Sequence, residues 1–345
     1  MKQLVALTED RDFVCYRYRI EAFRSVLADY GWELAVLPRA RSFANFLTQL
    51  PVMAAADAVV LQRRLNPWLK CWLIRRASKI LIYDFDDAVF CRDSNHQRPA
   101  QCSTRWRQFR RTVVAADACL AGNSFLQAQG VTCADKDRVH RLPTCVDHRR
   151  YPLASHGRVG DVQLVWVGSR STLPSLHLAA GGLLNASRKL SQLTLKVICD
   201  TFLDLPGVRI QSVRWSEESE AKEIAEADIG IAWLPEHPWS MGKCGLKVLQ
   251  YMAAGLPVVA NPIGIHNELI VDGVTGFFAA TPEQWGEVIE TLALNPDLRR
   301  QMGNAGRQRV MEHYNPERWG KRFAEIVSEL PSRSRKAIRF GVNPA

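Results

Sequence analysis

Short apolar runs alternate with amphipathic stretches along this chain, and the whole alternation occurs twice, which limits the fold more than any other feature. In the first half, "QLVALT", "ELAVL", "AAADAVVLQR", "KILIYDFDD" and "DACLAGN" read as short buried strands. Between the first two lies 17–30, where Ile20, Phe23, Val26 and Leu27 share one helical face. Strands alternating with helices predict a parallel sheet covered on both sides. After "RLPTCVDHRRYPLASHGRVG", rich in Pro, Gly and charge, the pattern restarts with "VQLVWVGSRS", "LTLKVICD", "VRIQSV", "ADIGIAWLP" and "GLPVVANPIG". The expected fold class is therefore α/β, with two doubly wound, Rossmann-like parallel-sheet domains over 1–150 and 151–330. Their joint falls near 142–162, and a basic tail occupies 331–345. Ligands of such sheets bind beyond the carboxyl ends of the strands, so two facing domains would frame a cleft.

Charge is unevenly spread. Residues 1–150 hold 24 Lys/Arg against 15 Asp/Glu, whereas 151–345 hold 21 against 20, so the net +10 resides almost wholly in the first half. That asymmetry predicts an anionic partner for the first half: a membrane surface, a phosphate-bearing acceptor or nucleic acid. No nucleic-acid reader module is recognisable, so nucleic acid is set aside. Apolar runs are broken by charge well short of the roughly 20 residues a membrane span needs, and the N-terminus reads as a strand and not a signal peptide. Nine cysteines at irregular spacing, without a CxxC pair, predict reduced thiols in a cytoplasmic protein and no zinc site.

The most informative segment is "SMGKCGLKVLQYMAAGLPVVA", 240–260. The spacing predicts a helix from about Lys243 to Ala254, stopped by Gly255 and Pro257. Lys243, Lys247 and Gln250 then share one face, opposite Leu246, Leu249 and Met252. A helix start offers free N–H groups and partial positive charge. Two lysines there repel by a few tenths of a kcal/mol, which a diphosphate would reverse. A solvated face accounts for the spacing equally well.

From "ADIGIAWLP" through "AAGLPVVA", the Gly264/Glu268 loop "GIHNE", "DGVTGF" and the closing helices, the chain resembles the donor-binding half of GT-B glycosyltransferases of family 4. "GNSFL" with "RLPTCVDHRRY" is similar to that family's domain joint, and "WVGSRST" to its first C-domain strand and loop. The resemblance implies a retaining, metal-independent sugar transfer from a nucleotide diphosphate sugar, UDP- or GDP-linked, with no obligatory cofactor. The acceptor hydroxyl would belong to a glycan or lipid-linked precursor of a cell-surface polysaccharide, lipopolysaccharide or glycolipid. One departure stands out. The family carries two glutamates eight apart on this helix, and Gly242 and Gln250 occupy those positions here. Gln250 still suits a ribose hydroxyl; Gly242 offers backbone only.

On this resemblance the donor-binding residues are Gly168, Ser169, Arg170, Lys243, Lys247, Gln250, Gly264, Asn267 and Glu268, with His266 a weaker candidate. Trp215, which follows the strand "VRIQSV", reads as a donor-side ring for stacking on a nucleobase or equally as a core or rim tryptophan. Lys243 and Lys247 stabilise the leaving diphosphate. In the first domain, "YDFDD" supplies Asp84, Asp86 and Asp87. They read first as carboxylates lining an acceptor cleft, with Asp86 and Asp87 as catalytic candidates and Asp84 grouped with Arg17 and Arg19 on the acceptor side. A second reading is structural capping and arginine pairing, and a third is the Asp-x-Asp metal site of GT-A transferases. The basic aromatic stretches 63–79 and 103–113 read either as surface helices or as a face for the anionic inner leaflet of a membrane. A degenerate fold that binds a nucleotide sugar or glycan without turnover remains the alternative function.

Overall fold

A computed structural model of the chain describes residues 1–10 and 14–332. Two compact units emerge: Met1–Thr144 with Gly242–Cys244 and the chain from Pro316 onward, and Cys145–Met241 with Gly245–Asn315.

The first unit is built on β1 (Lys2–Leu7), β2 (Trp32–Leu37), β3 (Ala58–Gln62), β4 (Leu81–Phe85), β5 (Ala118–Ala121) and β6 (Val139–Arg141). All pair in parallel, in the order β2-β1-β3-β4-β5-β6. The central strands β3 and β4 are buried at every position, as their largely apolar runs require, with Gln62 and Asp84 the polar exceptions. The second unit repeats the design with β7 (Gln163–Val167), β8 (Thr194–Cys199), β9 (Arg209–Arg214), β10 (Ile229–Ala232), β11 (Val258–Ala260) and β12 (Gly276–Phe278). Its order is β12-β11-β10-β7-β8-β9, again parallel throughout. The expected class, two doubly wound parallel-sheet α/β domains, is the one found. Strand order reverses between β1 and β3 in the first sheet and between β7 and β10 in the second, and such switch points are where open α/β sheets hold ligands.

The second core gathers Leu164, Trp166, Leu195, Val197, Ile229, Ile231, Val259 and Trp285, each contributing on the order of 1.5–3 kcal/mol on full burial. Gly230 is needed here because Tyr251 takes its side-chain space, a Cβ lying 2.4 Å from the ring. The Tyr251 hydroxyl oxygen in turn accepts a hydrogen bond from the Val167 amide at 2.9 Å.

Four expectations change. The stretch 17–30 is not one helix but Val14–Arg19, a 3-10 turn Glu21–Phe23, and Arg24–Asp29; Ile20, Phe23 and Leu27 still fill the core. β6 and β12, three residues each, carry too little apolar pattern to be read from sequence. The helix Pro316–Glu329 closes the first unit and not the second: Phe323 meets Phe23 edge-on at 6.0 Å, and Trp32 Nε1 donates to Ser328 Oγ at 3.1 Å. Most consequentially, the helix after β10 is Leu246–Ala253. Gly245, at φ +68°, takes a left-handed conformation that breaks the helix before Lys243 can join it. Lys243 and Lys247 therefore do not share a helix face. The expected tail lies outside the described residues from 333 onward.

Candidate functional site

The two switch points hold most of the charged residues singled out from sequence, but not in the roles their spacing predicts. In the first unit, β4 carries Asp84 one residue before its end and runs on into Asp86 and Asp87. Arg19 comes in from the first helix, fully buried, and grips Asp84. Its Nε lies 3.1 Å from both carboxylate oxygens and its Nη2 2.5 Å from Oδ1, while Nη1 donates to the Leu142 carbonyl at 2.7 Å. Both side chains have zero exposure. The assignment of Arg19 and Asp84 to the acceptor side is thus corrected: a pair sealed from solvent holds the first helix to the sheet and offers a ligand no atom. Burial pushes the Asp84 carboxyl up while Arg19 opposes it; Asp84 keeps Arg19 charged in spite of burial. Arg17 is half-buried, its guanidinium 4.8 Å from the Tyr18 ring centroid.

Asp86 and Asp87 converge on Arg63, the first residue past β3. Arg63 sits at φ +57°, a conformation rarely adopted outside glycine. Its Nη2 lies 2.7 Å from Asp87 Oδ2, its Nε 3.4 Å from Asp86 Oδ1, and its Nη1 2.7 Å from Cys15 Sγ. Lys243 joins from the segment Gly242–Cys244, its Nζ 3.1 Å from Asp87 Oδ2. That segment is fastened by one backbone and one side-chain contact: Asn123 Nδ2 donates to the Lys243 carbonyl at 2.8 Å, and the Cys244 thiol donates to the Asp86 carbonyl oxygen at 3.2 Å. A Cβ on Gly242 would stand 2.4 Å from the Ala88 nitrogen. The position where the family resemblance puts a glutamate therefore admits no side chain. Burial works against ionisation of both neighbouring carboxyls. The guanidinium groups of Arg63 and Arg19 hold Asp86 below the usual range regardless, whereas Asp87 is pushed up despite Lys243 and Arg63.

In the second unit, the loops beyond the carboxyl ends of β7 and β10 meet over Trp166. The Trp166 ring lies where a Gly168 Cβ would go, 2.4 Å away, and the Lys247 ammonium stands 4.2 Å from the same ring's centroid. This contact is a cation–π interaction, and it brings the Gly168 turn and the first turn of Leu246–Ala253 to one indole. The N-cap of that helix, Gly245, contributes no side-chain hydrogen bond, and the first turn of a helix presents backbone N–H groups. The turn after β7 is more occupied: the Ser169 amide donates to Thr172 Oγ1 at 3.0 Å and the Arg170 amide to Asp200 Oδ1 at 2.9 Å.

The other donor-side candidates are spread along the same edge. Trp215, after β9, is half-buried and donates from its ring to Glu220 at 2.7 Å. Gln250 is buried and donates to the Tyr151 hydroxyl at 3.1 Å. Gly264, at φ +56°, turns the chain into His266–Leu269, where Asn267 is exposed and Glu268 half-buried. His266 is buried, its Nδ1 2.9 Å from the Asn261 carbonyl. Burial first, and Lys247 nearby, bring it down to about 4. Sequence reasoning missed Trp166, Arg63 and Asn261. The Asn261 side chain binds both the amide and the carbonyl of Leu234, at 2.9 and 2.7 Å, and so shapes the loop after β10. The only available signal for Arg63 was its place directly after an apolar strand.

No group of three or more His, Cys, Asp or Glu side chains among the described residues is arranged to hold a metal ion. All nine cysteines are free thiols. No helix among the described residues is long and apolar enough to cross a membrane.

Residues 212–309 match the family model described as Glycosyl transferases group 1. Among curated relatives, the alpha-maltose-1-phosphate synthase of Mycolicibacterium smegmatis is 25% identical over 260 residues, covering 64% of this chain and 65% of that protein. The chain spans from 11% to 65% of the length of the curated relatives it matches. Among solved structures, a sucrose-phosphate synthase of Thermosynechococcus elongatus superposes with a TM-score of 0.72 at 15% identity, covering 95% of this chain and 99% of that one. Anabaena Alr3699/HepE, in complex with UDP and glucose, gives 0.69 at 14% identity, covering 96% and 100%. At such identities the likeness establishes the fold.

Proposed function

We propose that this chain is a glycosyltransferase moving a sugar from a nucleotide diphosphate sugar to an acceptor hydroxyl. The second unit binds the donor and the first the acceptor. One observation carries the reading: the group 1 match covers residues 212–309, and within it the start of the helix Leu246–Ala253, with Lys247, stands over Trp166 at the strand-order reversal. Amides and an ammonium at that place are suited to a diphosphate, whose growing charge they stabilise as the glycosidic bond breaks. Similar structures solved with UDP and with UDP-glucose support a uridine donor, with GDP sugars the other class to try. With Gly242 closed to a side chain, sugar recognition falls to Gly264, Asn267 and Glu268. Asp84 and Asp86 are each answered by an arginine, which favours lysine over metal as the diphosphate's counter-charge. In this reading the anomeric configuration is retained, and the acceptor is a glycan or lipid-linked precursor met at the cytoplasmic face of a membrane.

A thermal-shift panel of UDP- and GDP-sugars, followed by nucleotide release in the presence of EDTA, tests the reading. One nucleotide class should stabilise the protein, and Lys247→Ala should lower turnover about 10²-fold. No shift from any donor would sink the assignment. The buried Gln250 and the closed Gly242 favour one competing reading, a binder without turnover, which predicts a shift with no nucleotide release.

A further inference from the structure

Beyond the carboxyl ends of β1, β2 and β3, at the first sheet's switch point, lies a cavity of about 610 Å³, within the size range of small-ligand sites. Among the described residues lining it, five are cationic (Arg39, Arg63, Arg64, Lys70 and Arg105) and one, Glu9, is acidic. The charge of Arg63 is answered by Asp86 and Asp87. Glu9 is shared by Arg39 at 3.1 Å and Arg64 at 3.6 Å. Lys70 lies over the rings of Phe43 and Phe46, at 6.0 and 5.3 Å, and Arg105 donates to the Val89 carbonyl. Four cations thus face one carboxylate.

The cavity also holds donors that the fold leaves unused. Arg64, 13% exposed, makes only the 3.6 Å ion pair with Glu9 through its Nε, and its Nη2 is buried without a hydrogen-bond partner among the described residues. Asn66, 9% exposed, has its Nδ2 in the same condition. An unmet buried donor costs about 1–3 kcal/mol, more when charged, so two at one cavity wall are a standing demand for an oxygen-rich ligand. Burial, with Arg39 close by, brings the Arg64 guanidinium down to about 10, Glu9 opposing only in part.

We infer that this cavity binds the phosphate or diphosphate group of the acceptor. The word acceptor rests on the glycosyltransferase reading; the anion site itself does not. Guanidinium forks and an ammonium around a polar cavity match phosphate oxygens in geometry and charge. The rim has a second character. The helices Phe43–Ala55 and Trp68–Ala77, which supply Phe46, Met53, Lys70 and Ile74 to the wall, expose Phe43, Leu47, Trp68 and Leu69 beside it. A soluble sugar phosphate and a lipid phosphate share the headgroup chemistry, and the rim distinguishes them experimentally.

The full chain carrying Lys247→Ala, which removes the donor-side lysine, is titrated calorimetrically with inorganic pyrophosphate. Saturable binding is expected, weakened about tenfold or more by Arg64→Gln, the loss of at least one charge-assisted hydrogen bond, and several-fold by Lys70→Gln. Lys70 is half-buried at the rim, so its variant reports even if Arg64→Gln folds poorly; far-UV circular dichroism certifies both. In a second arm, phosphatidylcholine vesicles with and without phosphatidic acid are sedimented with the protein. Phosphatidic-acid-dependent binding lost in both Arg64→Gln and Trp68→Ala assigns a lipid phosphate. Pyrophosphate binding without vesicle binding assigns a soluble one, and either result upholds the site. Pyrophosphate and vesicle binding that are absent, or unchanged in folded Arg64→Gln and Lys70→Gln, overturns it. Because donor binding is absent from both arms, failure of the sugar-nucleotide panel leaves this result standing, and the reverse holds too.

Discussion

Replacing Arg19 by Met tests whether the Arg19–Asp84 pair builds the first unit or serves its ligand. Arg19 makes four hydrogen bonds, three to Asp84 and one to the Leu142 carbonyl, from a position with no exposed surface. Methionine fills similar space and supplies none of them. Asp84 would then remain a buried carboxylate held only by Gln62 Nε2 at 3.4 Å. Removing one partner of a buried pair costs about 3–5 kcal/mol, or roughly 6–20 °C in the melting of a unit of this size. Arg19→Met combined with Asp84→Leu removes the orphaned charge and leaves mainly the Leu142 carbonyl unmet, a cost of about 1–3 kcal/mol. The double variant should therefore be more stable than Arg19→Met, with a coupling of about 2 kcal/mol. Hydrogen exchange of β1 and β4 amides reads the first unit alone. If Arg19→Met leaves that exchange within about 0.5 kcal/mol of wild type while abolishing turnover, the pair is a ligand contact and the structural assignment is wrong.

Two further outcomes follow from the site. Gly242→Ala places a Cβ 2.4 Å from the Ala88 nitrogen and 2.6 Å from its Cβ. Overpacking of this kind costs about 1–3 kcal/mol, so the melting temperature should fall by several degrees, and by more for Gly242→Glu; an unchanged melt would show the site to be open. His266 takes its proton at about 6.5 when exposed and at about 4 in the fold, because burial disfavours the imidazolium. The unfolded chain then binds the proton first, and stability contributed by the neutral ring is lost as pH falls from about 6.5 toward 4, on the order of 3 kcal/mol in all. Urea denaturation at pH 7.5 and 4.5 should show a smaller acid loss in His266→Asn than in wild type; parallel losses would place the proton uptake elsewhere.

Much of the architecture was legible because strand and helix signals are local. Apolar runs such as "AVVLQ" and "LIYDF" must be buried on both faces wherever they lie, and their alternation with helices leaves few arrangements but a parallel sheet. The segment carrying Lys247 was also legible, since a glycine-led helix after a buried strand points to the strands' carboxyl edge. What failed was pairing. Lys243 and Lys247 look like one face of one helix until Gly245 turns left-handed and sends Gly242–Cys244 to the Asp86–Ala88 backbone of the first unit.

The sequence by itself determined the two doubly wound units and the concentration of positive charge in the first half, because each depends on composition and on neighbours a few residues away. Only the tertiary structure decided what each charge does. Arg19 and Asp84 are 65 positions apart and Lys243 and Asp87 are 156 apart, and spacing cannot say whether a charge meets a carboxylate, an indole or an empty wall. Coulomb energy depends on distance and burial in space. Those same quantities make Arg19 a buried strut, Lys247 the charge above Trp166, and Arg64 an unmet donor beside a cavity.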